Sequence, residues 1–498
     1  AVEGGGRSFL RVDLDPDARV EIGRYNHGPA SQSWYPVLTP DPYRISFWAR
    51  SPAPATGRVT FTGFYAREIE PVPFETGPEW REISLDLRRT APLPADAPIG
   101  RVQLEFDGPA QVDLDALRMR LADEEFFQLP PMRARQLREA GLSFLRYHAF
   151  IKTGRSTYDL AALTDAPGTP SGVPGRNTLP QMLEITRRAG LDPWLQIEPH
   201  FTPQEWQGLV EYLAAPAGPD APWAAKRAAL GREGPWTDAF DRILIEIGNE
   251  TWNGLFAPWT YPEMTDAASG RSYSRGEVYG IHQEHVIGIL RASPWWRAAG
   301  LDDKVEFVIG GWIRQSYGAD AAARSPSSRY MTVGAYNGGW DEDEGPPDGS
   351  KPSFFSVLNQ AAQVAIPNAE QHAAEARRLS RVREPAVLPG TYEAGPGYAL
   401  NGLNGARVSR EQYAAQERVM KSQAAGVATL DGFLAMARAG FAIQNFFTFN
   451  PGETWSSHAI DRNGGQAYPS WKLITLLNHE GLGEMLHVRT LAVPTEDL

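Results

Sequence analysis

Two stretches of the chain set a glutamate directly after an apolar, strand-like run. Ile243-Leu244-Ile245-Glu246-Ile247-Gly248 leads into Asn249-Glu250, and Ala386-Val387-Leu388-Pro389-Gly390-Thr391-Tyr392 leads into Glu393. If both runs are parallel strands of a closed barrel, Glu250 and Glu393 stand at C-terminal strand ends, where such barrels carry their chemistry. Two carboxyl groups facing across a mouth can cleave a glycosidic bond. One protonates the leaving oxygen while the other attacks the anomeric carbon or activates water. A spacing of about 5 Å gives retention of configuration and one of roughly 6.5–9.5 Å gives inversion. The acid needs a raised pKa, which apolar walls and a neighbouring carboxylate provide; Trp252, two residues on, could be such a wall. A single glutamate at a strand end is usually solvated or salt-bridged, but two at matched ends, one preceded by Asn, favour catalysis. Glu246 shares a strand face with Glu250. It reads as a buried carboxylate paired with an arginine, with a catalytic role as the alternative.

Other strand ends carry further candidates. Arg146 closes Leu142-Ser143-Phe144-Leu145-Arg146-Tyr147-His148, either in the site or in a surface ion pair. His148 and His200 fall at or after strand ends with Glu198 nearby. No His-Glu-x-x-His spacing supports a metal, so sugar hydrogen bonding or simple packing is expected of them. Tyr336 ends Met331–Tyr336 and precedes Asn337-Gly338-Gly339-Trp340. Trp252, Trp340 and Trp455 lie in strand-end loops and Trp312 follows another strand. Flat indole faces stack on the C–H faces of sugar rings, so several at one barrel face suggest subsites, although any one of them is more often core. The run Asp341-Glu342-Asp343-Glu344 reads as a solvated loop, with a calcium site or a contact to a cationic sugar as the alternative. No Gly-x-Ser-x-Gly elbow supports a serine hydrolase, and no Gly-x-Gly-x-x-Gly or phosphate loop supports a nucleotide fold.

The elements that must position these residues fall into two textures. Residues 1–122 show short alternating runs, among them Phe9–Leu14, Tyr43–Trp48, Arg58–Phe64, Glu82–Leu87, Arg101–Phe106 and Gln111–Leu114, separated by Pro, Gly and Asp. That pattern predicts an N-terminal β-sandwich. Residues 123–478 alternate helix with strand, which predicts an α/β chain built as a (β/α)8 TIM barrel. Helices are expected over Pro131–Ala140, Leu179–Ala189, Pro203–Leu213 and Ala365–Leu379. An eighth strand is sought at Glu125-Phe126-Phe127, which makes the two glutamate-bearing strands the fourth and the seventh. Residues 479–498, with Met485–Val493 as a strand, could return to complete the sandwich.

The motif Glu246-Ile247-Gly248-Asn249-Glu250 resembles the acid/base strand of clan A retaining glycoside hydrolases, and Gly390-Thr391-Tyr392-Glu393-Ala394-Gly395 resembles their strand-seven nucleophile. Leu179–Pro199 and Ile245–Phe256 are similar to a group of bacterial secreted proteins described as cellulose-binding, and more loosely to the arabinofuranosidases and xylosidases of the clan. The resemblance spans about 140–455. It implies Glu250 as acid/base, Glu393 as nucleophile, and Asn249 on the sugar 2-hydroxyl. It further implies Arg146 holding the nucleophile ionised and Tyr336 hydrogen-bonded to it. Trp455, after the eighth strand, is the favoured stacking platform. The N-terminal run resembles, in pattern alone, jelly-roll carbohydrate-binding modules. The expected function is therefore a retaining glycoside hydrolase acting on a β-glucan-, xylan- or exopolysaccharide-like polymer. An arabinofuranosidase- or xylosidase-type exo-enzyme, a transglycosylase and a non-hydrolytic polysaccharide-binding barrel are the rivals.

Composition bounds the rest. The 498 residues carry a formal net charge of −12, which argues against a nucleic-acid partner. The 15 Trp, 17 Tyr and 21 Phe exclude long disorder. Zero Cys excludes disulfides, thiol catalysis, iron–sulfur clusters and thiolate zinc sites. No cofactor and no catalytic metal are expected. The most apolar long window, Ala424–Phe449, is interrupted by Asp431, Arg438, Gln444 and Asn445, so no membrane span is expected. A secreted or periplasmic location is expected, with Ala1-Val2-Glu3-Gly4 as a mature end left after signal removal.

Overall fold

The structure is a computed structural model. It describes residues 9–15, 19–22, 43–61, 70–87, 102–107, 110–121, 131–148, 158–165, 178–337, 357–358, 361–398, 410–452, 454–459 and 465–481.

The first eight strands are β1 (Leu10–Leu14), β2 (Arg19–Ile22), β3 (Tyr43–Arg50), β4 (Ala55–Phe61), β5 (Val72–Thr76), β6 (Arg81–Leu87), β7 (Val102–Phe106) and β8 (Ala110–Leu121). They form two four-stranded antiparallel sheets, ordered β1-β8-β3-β6 and β2-β7-β4-β5. Alternate residues are apolar and point one way: Ile45, Phe47 and Ala49 on β3, Leu104 and Phe106 on β7, Val112 and Leu114 on β8. With Val59 and Phe74 they make one hydrophobic cluster drawn from both sheets, the packing that a β-sandwich requires. Asp113, buried on β8, is held by Arg11 and Arg50 at 2.7 and 2.8 Å.

From Pro131 onward helices alternate with β9 (Phe144–Arg146), β10 (Asp192–Ile197), β11 (Ile243–Ile247), β14 (Val305–Gly311), β15 (Ser328–Asn337), β16 (Leu388–Pro396) and β17 (Ile443–Gln444); a small hairpin, β12 (Met264–Thr265) and β13 (Ser272–Tyr273), lies between β11 and β14. The seven form one parallel sheet in chain order. The sheet is curled. Each strand contributes a residue to one interior cluster: Phe144, Trp194, Leu244, Val308, Tyr330, Tyr392 and Ile443. Its two edges also meet, since His148 beyond β9 lies edge-on against Phe447 beyond β17, with ring centroids 5.4 Å apart. The helix Pro469–Glu480 ties back to the helix Pro131–Glu139, because Asn478 donates to the Ala140 carbonyl at 2.8 Å and His479 lies 2.8 Å from that of Glu139.

The helices form where local signals put them. Pro203–Ala214 starts on a Thr202/Glu205 capping box. Leu179–Ala189 stops at Gly190, whose φ of 69° suits a residue without Cβ. The expected helix Ala365–Leu379 runs Ile366–Ser380. The seventh expected strand runs longer than the alternation suggested, so Glu393 lies inside β16. The proposed strand Glu125-Phe126-Phe127 and the tail strand Met485–Val493 lie outside the described residues. Among the described residues no helix is long and apolar enough to cross a membrane.

Candidate active site

The C-terminal ends of β9, β11 and β16 converge on one arginine, and β15 adds Tyr336 to the cluster through Glu393. Arg146 donates from Nε and Nη2 to the two oxygens of Glu246, at 2.8 and 2.9 Å. Its Nη1 donates to Glu393 Oε1 at 2.8 Å, and Nη2 also reaches Asn249 Oδ1 at 3.0 Å. The guanidinium lies over the Tyr392 ring, 4.9 Å from its centroid. Burial opposes the charge on Arg146, but Glu246 and Glu393 outweigh it, so the guanidinium is held protonated more firmly than usual. Glu246 also accepts from Trp194 Nε1 at 3.0 Å. It is the buried, arginine-paired carboxylate that its place in the strand suggested.

Glu393 is buried, and its second oxygen accepts from the Tyr336 hydroxyl. Its pKa stands above the ordinary carboxylate value: burial raises it, and Arg146 and the Tyr336 hydrogen bond offset that only in part. Glu250 sits opposite, just after β11. It accepts from Tyr392 Oη at 2.8 Å and from Asn253 Nδ2 at 2.8 Å. No cation touches it among the described residues. Burial first, then the charge on Glu393, push its pKa up to about 7. The two carboxyls are thus close enough to feel each other, and their surroundings differ. Of the two, Glu393 is the one in direct contact with a cation, Arg146, and so the one whose charge is favoured.

Local backbone explains how these groups face inward. Tyr392 and Glu393 are consecutive, so regular pleating would send them to opposite faces. The register between β15 and β16 shifts here, from Val333 opposite Thr391 to Gly334 opposite Glu393. Tyr392 is the extra residue of this bulge, and both side chains reach the interior. Two glycines make the room: a Cβ on Gly334 would lie 3.3 Å from Tyr392 Oη, and one on Gly310 would lie 3.3 Å from Glu246 Oε1. Glu250 itself has a φ of 42°, in the left-handed region that non-glycine residues rarely occupy. Strain of this kind persists where surrounding structure over-determines it.

The remaining sequence candidates divide. Asn249 is buried beside the pair; its Oδ1 accepts from Arg146 and from Gln196 Nε2 at 2.8 Å, which leaves the Nδ2 donor without a protein partner. His148 Nδ1 lies 3.8 Å from Glu393 Oε1. Trp455 lies edge-on to Tyr336 at 4.9 Å and also touches Tyr398 and Phe447. Trp252 leans on Trp312 at 4.7 Å, and Trp312 keeps 37% of its surface exposed. His200 is not in contact with either carboxylate. It stacks on Trp259 at 4.6 Å and bonds the Tyr158 carbonyl at 2.7 Å. Trp340 and the acidic run 341–344 lie outside the described residues. Sequence reading missed Tyr392, Gln196, Asn253 and Trp194. Period-two alternation from Glu246 and its neighbour strand would have flagged Gln196 and Trp194, whereas nothing in the pattern announces the bulge at Tyr392. Among the described residues no group of three or more His, Asp or Glu could hold a metal ion.

No protein-family model matches the chain, and no curated protein matches it. Solved structures do. An arabinose-bound α-L-arabinofuranosidase of family GH51 superposes with a TM-score of 0.60 over 95% of this chain and 70% of its own, at 15% identity. The GH51 arabinofuranosidase from Xanthomonas axonopodis pv. citri gives 0.47 over 70% and 66%, at 14% identity. The α-L-arabinofuranosidase from Thermotoga maritima gives 0.46 over 70% and 64%, also at 14%. At these identities the likeness is one of fold, and the first of the three carries it: the chain is similar in architecture to a GH51 arabinofuranosidase.

Proposed function

We propose that the chain is a retaining glycoside hydrolase in which Glu393 attacks the anomeric carbon and Glu250 is the acid/base. The observation that supports this most is the asymmetry of the buried pair. Glu393 is clamped by Arg146 and by the Tyr336 hydroxyl, while Glu250 has hydrogen-bond donors but no cation, and a pKa pushed up to about 7. In the first step Glu393 forms a bond to the sugar as Glu250 gives its proton to the leaving oxygen. In the second step Glu250 takes a proton from water, which displaces Glu393. Asn249 Nδ2 is the donor for the hydroxyl next to the anomeric carbon, and Trp455 and Trp252 wall the sugar. The substrate is a polysaccharide or oligosaccharide, taken outside the cytoplasm. Residues 1–122 form an accessory module and residues 123–478 the catalytic unit, whose last described helix continues to Glu480. No cofactor is required.

The arabinofuranosidase neighbour favours a second reading, an exo-enzyme that removes arabinofuranosyl or xylosyl groups. A panel of aryl glycosides and polysaccharides, with products sized and their anomeric form followed in time, separates the two. Glu393→Gln should lower turnover by on the order of 10³ or more. Glu250→Gln should abolish turnover of substrates with poor leaving groups and leave binding intact. Near-normal turnover in either variant rejects the assignment. Binding without turnover in the unaltered chain identifies a non-hydrolytic polysaccharide-binding barrel instead.

A further inference from the structure

We propose that Glu198 anchors a sugar-hydroxyl subsite at the β10 and β11 side of the mouth, and so helps decide which glycan is accepted. This deepens the glycosidase reading and rests on its carbohydrate substrate. The strand places the residue. Trp194 and Gln196 of β10 face the interior, where they bond Glu246 and Asn249. Leu195 and Ile197 face the helices and join the outer core. Glu198 continues the interior row one pleat further toward the mouth, about 7 Å beyond Gln196.

Its surroundings are unusual for a carboxyl. Glu198 is fully buried, and neither side-chain oxygen has a hydrogen-bond partner among the described residues. Only its backbone N–H is engaged, with the Tyr158 hydroxyl at 3.4 Å. Burial pushes the carboxyl up to about 8, so at neutral pH it carries a proton and can donate as well as accept. An unpartnered buried acid destabilises a fold, and a ligand that supplies the missing partners accounts for its place here.

The same two strand ends hold further orphaned groups. Gln196 Oε1, Asn249 Nδ2, His200 Nδ1, Trp252 Nε1 and Trp259 Nε1 are all buried without partners. Donors and acceptors are mixed, and His200 and Trp259 stack on each other among them. The mixture suits a neutral ligand rich in hydroxyls. A metal would want a cluster of carboxylates or imidazoles, and no such group of three occurs among the described residues.

The test measures binding apart from turnover. In the Glu250→Gln chain, calorimetric titration with arabinopentaose, xylopentaose and cellopentaose identifies the preferred glycan. Adding Glu198→Leu should raise the Kd of that glycan tenfold or more while the melting temperature holds or rises, because the orphaned acid is gone. Adding Glu198→Gln, which keeps the shape, reads the same question if the leucine variant does not fold. It should raise Kd by a smaller factor and shift the order of preference among the three pentaoses. An unchanged Kd and order, or no binding of any pentaose, overturns the subsite. Turnover of aryl glycosides by the unaltered chain judges the Glu250/Glu393 pair independently, so either claim can fall without the other.

Discussion

Tyr392→Phe should move the alkaline limb of the pH–rate profile upward. In the unaltered chain Glu250 must be protonated to act as acid, and its pKa is pushed up to about 7. kcat/KM should therefore fall as pH rises through that value. Tyr392 Oη donates to Glu250 Oε1 at 2.8 Å, and this bond favours the ionised form. A hydrogen bond to a charged group is worth about 1.5–3 kcal/mol, against about 1 kcal/mol for a neutral partner. The difference of roughly 0.5–2 kcal/mol centres on about one pKa unit. Removing the hydroxyl should thus leave Glu250 protonated to about one unit higher pH. The assay is the initial rate on an aryl glycoside across the pH range, with the melting temperature as a check on the buried ring. A limb that stays in place or moves down would mean that Glu250 is not the titrating acid, or that Tyr392 does not donate to it in solution.

Tyr336→Phe deprives Glu393 of its hydroxyl donor; kcat should drop about 10–100-fold, the equivalent of one charge-assisted bond, with KM much less affected. Gly334→Ala sets a methyl 3.3 Å from Tyr392 Oη and should cost several-fold in kcat through the displaced Tyr392–Glu250 bond, which single-turnover kinetics would detect. Glu198 has its pKa raised from the ordinary carboxylate value to about 8. Its relative contribution to stability is complete below the unfolded value and is lost as pH rises through about 8, by up to roughly 1.4 kcal/mol per unit. The melting temperature should therefore decline between about pH 5 and about pH 8, and Glu198→Gln should flatten that decline; an equal slope in both chains would count against a buried, unpaired acid.

Periodicity reached the strands and the two glutamates because the parallel strands are buried on both faces and read as apolar runs ended by polar residues. Ile243–Ile247 is such a run, and every one of its residues is buried. What periodicity could not reach was the hub. The sequence favours Arg146 for the site, with a surface ion pair as the alternative, and only the curl of the sheet brings it to Glu393 on β16, far along the chain. The bulge at Tyr392 breaks the alternation on which the reading depends. His200 fell at a strand end as expected, yet a stacked Trp259 turns it to the aromatic wall and away from the carboxyls. Strand β5 escaped notice because Val72-Pro73-Phe74-Glu75-Thr76 carries a proline as its second residue and pairs at a sheet edge, where proline is tolerated.

One guanidinium that joins the first, third and sixth of the seven described strands has a bearing on how the protein comes into being. Strands laid down early in synthesis hold Arg146 and Glu246, but the partner that completes the cluster arrives with β16. A chain that stopped before β16 would leave the Arg146 Nη1 donor without Glu393. The arrangement around Arg146 is thus a property of the finished molecule, complete only once β16 has docked.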